Sequence, residues 1–352
     1  MVELPAVGKI SPEVFESLIY PRLGRARQEV LVGPRSGVDV AVVRTAPGRV
    51  MATTTDPVFV VPQYGFRRAA WFAIHILASD VATSGLPPAY LSIDLNLPLE
   101  IEEQEIVELW DGMHQACAEL GIAVISGHTG RYEGCAYPMV GGATVIAVGD
   151  EERYVTPEMA RPGDALICTK GAAIEATGLF GATFPERLSE RIGPELASAA
   201  EELFYQMSVV RDALVAASVG VRQDGVTAMH DATECGVLGG VFEIAQASGV
   251  GVRLDEGAVI VRPEVEAVCQ TVGIDPLSAI SEGTLLATVR PHRADAVIGK
   301  LGEAGIAASV IGEIMPQERG MVRTGRGGDR PLVHPRVDPF WAAFGRAVEK
   351  GL

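Results

Sequence analysis

Between residues 102 and 120 the apolar positions fall at Ile106, Leu109, Met113, Ala116 and Leu120. That spacing of three to four puts them on one helical face, with Gly121 as the stop. A helix is also predicted over 66–84. Near the start, Ser11 as cap, Pro12 at the first helical position and the stripe Val14, Phe15, Leu18 and Ile19 predict a short helix. Strands are predicted over 39–44 and 49–55, joined by a turn at Ala46-Pro47-Gly48, and again over 123–126 and 139–148.

The segment 156–164 holds two prolines and ends in a Pro-Gly-Asp turn, which places a domain boundary there. Beyond it the alternation resumes. Strands are expected over 165–169, 284–289 and 307–311, and helices over 194–217, 235–248, 263–272 and 294–304. Mixed strands and helices in two halves of similar size predict a two-domain α+β protein. The expected division is an N-terminal helical extension (1–34), a first domain (35–155), a second domain (156–318) and a C-terminal tail (319–352).

A length of 352 residues suits two domains, and 48% apolar residues suffice for a sizeable core. The net charge of −16 disfavours a nucleic-acid binder and an anionic membrane surface. No apolar run is long enough for a transmembrane helix, and residues 1–10 lack a signal-peptide pattern. The five cysteines are scattered without a CxxC pair, so neither a zinc site nor a disulfide framework is suggested. A reducing cytoplasm is the expected location.

Three clusters could carry chemistry. Asp39 in GVDVAVV, Asp56 closing MATTTD and Asp80 in ASDVATSG lie at predicted strand ends and on a helix. Hard cations such as Mg²⁺ want carboxylate oxygens drawn from separate elements, although an isolated Asp at a turn serves equally as a cap. In MHDATECGVLGG, Asp231 and Thr233 precede a Gly-rich helix start. That start suits an anion such as phosphate, or is simply capped by Thr233. In SGHTGRY, His128 is a ligand or general base or else a hydrogen-bonded structural residue, and Arg131 is a phosphate partner or a surface cation. Lys170-Gly171 carries the same ambiguity. No GxxxxGK[ST], GxGxxG or GxSxG motif occurs.

Taken in order, GVDVAVV, TTDPVF, SDVATSGLPPAYLSIDL, SGHTG and PGDALICTKG resemble the ordered motifs of the PurM-like superfamily, which includes aminoimidazole ribonucleotide synthetase. The run from MHDATECG through ASGVG, VRPEV and SEGT is similar to its HypE-type hydrogenase maturation branch, and the resemblance spans about residues 30–315. It implies a two-domain fold with an N-terminal dimerising β-sheet or barrel domain with helices and a C-terminal α/β domain. It also implies a homodimer and an ATP and Mg²⁺ cleft shared by both domains and the dimer interface, where ATP phosphorylates a small substrate. By that resemblance Asp39, Asp56 and Asp80 are metal carboxylates. Asp231 and Thr233 become second-domain contacts in the cleft, and Glu282 matches a glutamate near the reacting group. Thr55, Thr129 and Arg131 are further expected cofactor contacts, and His128 or Glu282 is the expected general base.

The departures matter too. Val40 and His128 stand where acidic residues are usual, and Gly130 stands where the HypE type has a lysine. Imidazole is a poor Mg²⁺ ligand. HypE-type enzymes carry the carbamoyl group on a terminal cysteine, whereas the last cysteine here is Cys269. The resulting expectation is a HypE-like ATP-dependent enzyme with an unidentified substrate. The alternatives are a hydrogenase maturation role with a partner's thiol, and a non-catalytic nucleotide-binding homologue.

Overall fold

A computed structural model describes residues 12–35 and 37–352. The capping serine expected at residue 11 lies outside them. α1 (Pro12–Val14) runs into a wider helical turn, Phe15–Ile19. Of the expected stripe only Val14 is buried, while Leu18 and Ile19 stay exposed.

The first sheet has six strands: β1 (Val30–Val32), β2 (Ala41–Ala46), β3 (Arg49–Phe59), β4 (Pro88–Leu97), β5 (Ala123–Arg131) and β6 (Met139–Asp150), in the order β1-β2-β3-β6-β4-β5. Only β4 and β5 pair in parallel. Along β3 and β4 burial largely alternates, the pattern of a sheet with one covered face. α2 (Phe66–Ala82) and α3 (Glu103–Leu120) supply the cover. α3 is amphipathic as expected, opens with a Glu102–Glu105 capping box and ends at Gly121 in the left-handed conformation. It crosses α2 closely at Gly112, where a Cβ would lie 2.7 Å from that of Ala70. α2 is buried almost all round, because it is wedged between this layer and the second domain.

The second sheet has seven strands: β7 (Ala165–Thr169), β8 (Val226–Asp231), β9 (Gly251–Asp255), β10 (Leu285–Val289), β11 (Ala308–Met315), β12 (Met321–Gly325) and β13 (Gly328–Pro331), in the order β13-β12-β9-β11-β7-β10-β8. α7 (Val210–Ser218) and α10 (Ala294–Glu303) pack with the α2 core, and α8 (Gly236–Ser248) packs in a separate core with β7, β9, β10 and β11. α4 (Ile174–Thr183), α5 (Pro185–Ile192), α6 (Pro194–Glu202), α9 (Pro263–Val272) and α11 (Pro339–Lys350) enclose a third core around Phe180, Phe204 and Phe340.

Two expectations are corrected. The single helix expected over 194–217 is broken into α6 and α7 by the turn Leu203–Gln206. Side chains from other elements take the backbone groups that the helix would have used. Lys170 Nζ donates to the Ser208 carbonyl at 2.7 Å, and Ser79 Oγ accepts the Val209 N–H at 3.0 Å. Residues 319–352 do not form a separate tail. β12 pairs in parallel with β9, and α11 buries Phe340, Ala343 and Ala347.

Candidate active site

The first domain offers three carboxylates from three elements. Asp39 lies in the loop before β2, Asp56 in β3 and Asp80 near the end of α2. Thr54, two residues before Asp56 on the same face of β3 and itself buried, donates from Oγ1 to Asp80 Oδ2 at 3.0 Å. β3 and α2 are thereby tied at the point where α2 meets the second domain.

The second domain answers with Asp231 at the end of β8 and Glu282 in the turn before β10. β8 and β10 pair with Asp231 opposite Leu285 and His230 opposite Leu286, which sets the two acids side by side. The turn is rigid. Ser281 Oγ accepts the Ile174 N–H at 3.1 Å and bonds Thr284 Oγ1 at 2.7 Å, and Gly283 has φ +99. Glu175, at the start of α4, accepts the Glu282 N–H at 3.0 Å.

These groups repel one another in a buried setting. Burial, then Asp231, Asp39, Asp56 and Glu282, hold the Asp80 carboxyl well above its usual range. Burial and Asp39 push Asp231 up to about 6, with His230 pulling the other way. Glu282 is driven well up by burial and by Asp231 and Glu175, and Glu175 itself rises to about 8, chiefly through burial. Both carboxylate oxygens of Asp231 and Oε2 of Glu282 are buried without a well-aligned donor, the nearest groups being each other's carboxyl and, for Glu282, the Ser79 hydroxyl. Such oxygens need shared protons or a cation, and an oxygen-only set from several elements suits a hard divalent ion. Donor atoms of Asp39, His230 and Asp231 lie within 4.8 Å of one another.

His230 was not singled out among the candidate residues, although it stands beside Asp231 in MHDATECG. Nδ1 meets Asp39 Oδ2 at 2.5 Å and Nε2 meets Glu243 Oε2 at 2.8 Å. Burial alone would lower this imidazole, but Asp39 and Glu243 outweigh it and hold it well above the ordinary value. Glu243, on α8, carries no motif that could have marked it.

Among the sequence-derived candidates, Asp39, Asp56, Asp80, Asp231 and Glu282 therefore converge. Thr233 lies in the turn after Asp231, and its carbonyl accepts the N–H groups of Gly236 and Ser281. Thr55 is exposed on β3 and bonds Thr144 at 2.8 Å. His128, Thr129 and Arg131 lie apart on the edge strand β5. Asp94 faces His128, Gly142 faces Asp94 and Pro57 faces Gly142. The register puts His128 three strands from Asp56's neighbour, roughly 14 Å at the usual strand spacing. His128 instead bonds the Tyr132 hydroxyl at 2.6 Å, and that ring fills the space a side chain at Gly130 would need.

The anion seat read at the start of α8 is closed by the chain itself. Asp338 Oδ2 accepts the Cys235 N–H at 2.6 Å, and the Leu277 carbonyl accepts the Leu238 N–H at 3.0 Å. Thr233 makes no side-chain cap there. Lys170 is also committed, to Asp212 at 2.9 Å and to the Ser208 carbonyl, so its role is structural.

Comparison with known proteins bears on this arrangement. Residues 37–149 match the family model "AIR synthase related protein, N-terminal domain", and residues 161–324 match "AIR synthase related protein, C-terminal domain". The chain is 30% identical over 311 residues to a carbamoyl dehydratase HypE of Rhizobium leguminosarum bv. viciae, covering 84% of this chain and 83% of that protein. It is 28% identical over 349 residues to a selenide, water dikinase of Nitratidesulfovibrio vulgaris, covering 90% and 94%. The crystal structure of E. coli HypE, a hydrogenase maturation protein, superposes with a TM-score of 0.68 at 26% identity, covering 82% of this chain and 87% of that one.

Proposed function

The chain belongs to the AIR synthase related protein family, and from that premise we propose that it is an ATP-dependent enzyme that phosphorylates an oxygen of a small substrate in the cleft between its domains. The observation that carries this reading is the convergence of buried carboxylates from both domains, with Asp231 and Glu282 set against Asp80. A dikinase among the relatives supports phosphoryl transfer.

Asp39, Asp56 and Asp80 would hold Mg²⁺, with Asp231 and Glu282 facing them from the second domain. Mg²⁺ there would offset charge on the phosphates. Thr54 orients Asp80. Glu282 is the group assigned here to take the substrate proton, ionised once a cation offsets the burial and the repulsion from Asp231 and Glu175 that drive its carboxyl up. The N–H groups of Cys235, Gly236 and Leu238 at the start of α8 are already taken, so in this reading the carboxylates and their cation are the main hold on the nucleotide.

The chain acts in this reading as a homodimer. β5 ends the first sheet, and every residue of it except Gly130 is exposed. A bare edge of this kind is a template for strand pairing. Beside it, Trp110, Met113 and Val124 line an apolar groove of about 330 Å³ between α3 and the sheet. A second copy on this edge would bring His128, Thr129 and Arg131 to the interface.

Calorimetry tests the reading. ATP binding should require Mg²⁺ and should weaken roughly tenfold or more in Asp80→Asn, the scale of one lost charge-assisted contact. Asp150→Asn should leave it unchanged, because Asp150 only pairs with Arg49 on the surface. Equal affinities in both variants would remove Asp80 from the site.

The HypE relatives favour a second reading, carbamoyl dehydration in hydrogenase maturation. Burial pushes both the Cys235 and Cys269 thiols up to about 12, so neither is a ready thiolate. This chain with ATP and a carbamoyl-transfer partner should give no carbamoyl or thiocyanate adduct by intact mass unless the partner supplies the thiol. An adduct on Cys235 would favour the second reading.

A further inference from the structure

We propose that His230 is a positioning residue that fixes Asp39 for cation binding by joining it to Glu243 across the domain boundary. The proposal rests on the metal-dependent reading above. Nδ1 meets Asp39 Oδ2 and Nε2 meets Glu243 Oε2, so both ring nitrogens are engaged by carboxyl oxygens from the two domains. His230 is thus clamped between two carboxyl groups, with its side chain only 4% exposed.

The ring has little freedom. Its backbone is locked in the β8–β10 pairing. Gly240 leaves room for it, since a Cβ there would lie 3.5 Å from His230 Cδ2 and 2.7 Å from Leu286 Cδ1. The first domain comes to meet it. Gly37 packs so tightly on α8 that a Cβ would stand 3.2 Å from that of Glu243. Asp39 and His230 are 191 residues apart, and Glu243 completes the chain from α8.

This arrangement has two consequences for the cluster. Asp39 cannot turn away, because one of its oxygens is held by a rigid donor of the other domain. The ring also stands against Asp231, whose Oδ1 lies 3.7 Å from Nδ1, so it fixes the spacing of Asp39 and Asp231. With both nitrogens spent, His230 leaves the cation an oxygen-only set, which suits Mg²⁺ or Mn²⁺ better than a softer ion.

Mn²⁺ titration followed by electron paramagnetic resonance, without and with ATP, tests the proposal on the full chain. Wild type should bind Mn²⁺. His230→Leu should weaken binding by about 10- to 100-fold, the range for losing a residue that orients a ligand. His230→Asn, whose amide can donate in place of Nδ1, should recover much of the loss and guards against a leucine variant that fails to fold. Circular dichroism reports the fold of each. Lowered thermal stability with unchanged Mn²⁺ affinity in both variants would show a merely structural role and overturn the proposal. Wild type that binds Mn²⁺ but shows no effect of ATP would sink the ATP reading while leaving the His230 comparison in force. Wild type that binds no Mn²⁺ under either condition would overturn both.

Discussion

Asp338 joins two helix starts with one carboxylate. Its Oδ2 accepts the Cys235 N–H at 2.6 Å, and its Oδ1 accepts the Phe340 N–H at 2.8 Å. The segment leading into α11 is thus pinned to the start of α8, beside the acidic cluster. Cys235 sits in the left-handed region at φ +64, a conformation this contact helps to hold.

Asp338→Ala should therefore cost about 1–2 kcal/mol, the usual range for a lost helix cap. Asp338→Asn, which keeps an acceptor oxygen, should cost less. Thermal melts followed by circular dichroism would resolve the difference, and an unchanged midpoint in the alanine variant would show the cap to be idle.

The cluster makes metal-free stability depend on pH. Asp231 and Asp338 are raised from 3.8 to about 6, and Glu175 from 4.5 to about 8, mainly by burial. A carboxyl with a raised value binds its proton more tightly in the fold than in the unfolded chain. Its contribution is full below the unfolded value and is lost as pH rises through the folded one. In the presence of a chelator the melting temperature should fall between about pH 5 and pH 8. Mg²⁺, which favours the ionised carboxylates, should restore it at the upper end. A melting temperature that rises with pH in chelator would contradict the inferred protonation.

Lys170 and Asp212 form an ion pair whose side chains are 9% and 3% exposed. Thr169 Oγ1 adds a bond to Asp212 at 2.6 Å. Lys170→Met would leave a buried carboxylate without its cation and should cost about 3–5 kcal/mol. The double variant Lys170→Met with Asp212→Leu should regain much of that. Urea denaturation of the singles and the double decides it, and additive losses would rule out coupling.

Ile125, 57% exposed on β5, tests the dimer edge. Sedimentation should give wild type about twice the 37.1 kDa chain mass. Ile125→Glu should sediment as a single chain with an unchanged circular dichroism spectrum, because a charge on an edge strand blocks pairing. A monomeric wild type at micromolar concentration would dispose of the dimer.

Helix α3, the strands around Met51 and Val145, and the ordered acidic motifs were legible in the sequence because each depends on neighbours a few residues away. Spacing at 3.6 and at 2 is a local property of the chain. The motifs pointed to the family and to Asp39, Asp56, Asp80, Asp231 and Glu282, but alongside Thr55, His128, Thr129, Arg131 and Thr233, from which the sequence did not separate them. What only the tertiary structure decided is who meets whom. The break at Leu203–Gln206 follows from Lys170 and Ser79 taking the backbone groups of Ser208 and Val209. The helix start at Cys235 loses its anion seat to Asp338, 103 residues later. His128 sits on an edge because β6 and β4 lie between β3 and β5. His230 finds Asp39 because β8 ends where the first domain's loop packs on α8. Contacts at such separations depend on sheet order and domain packing, which no window along the chain contains.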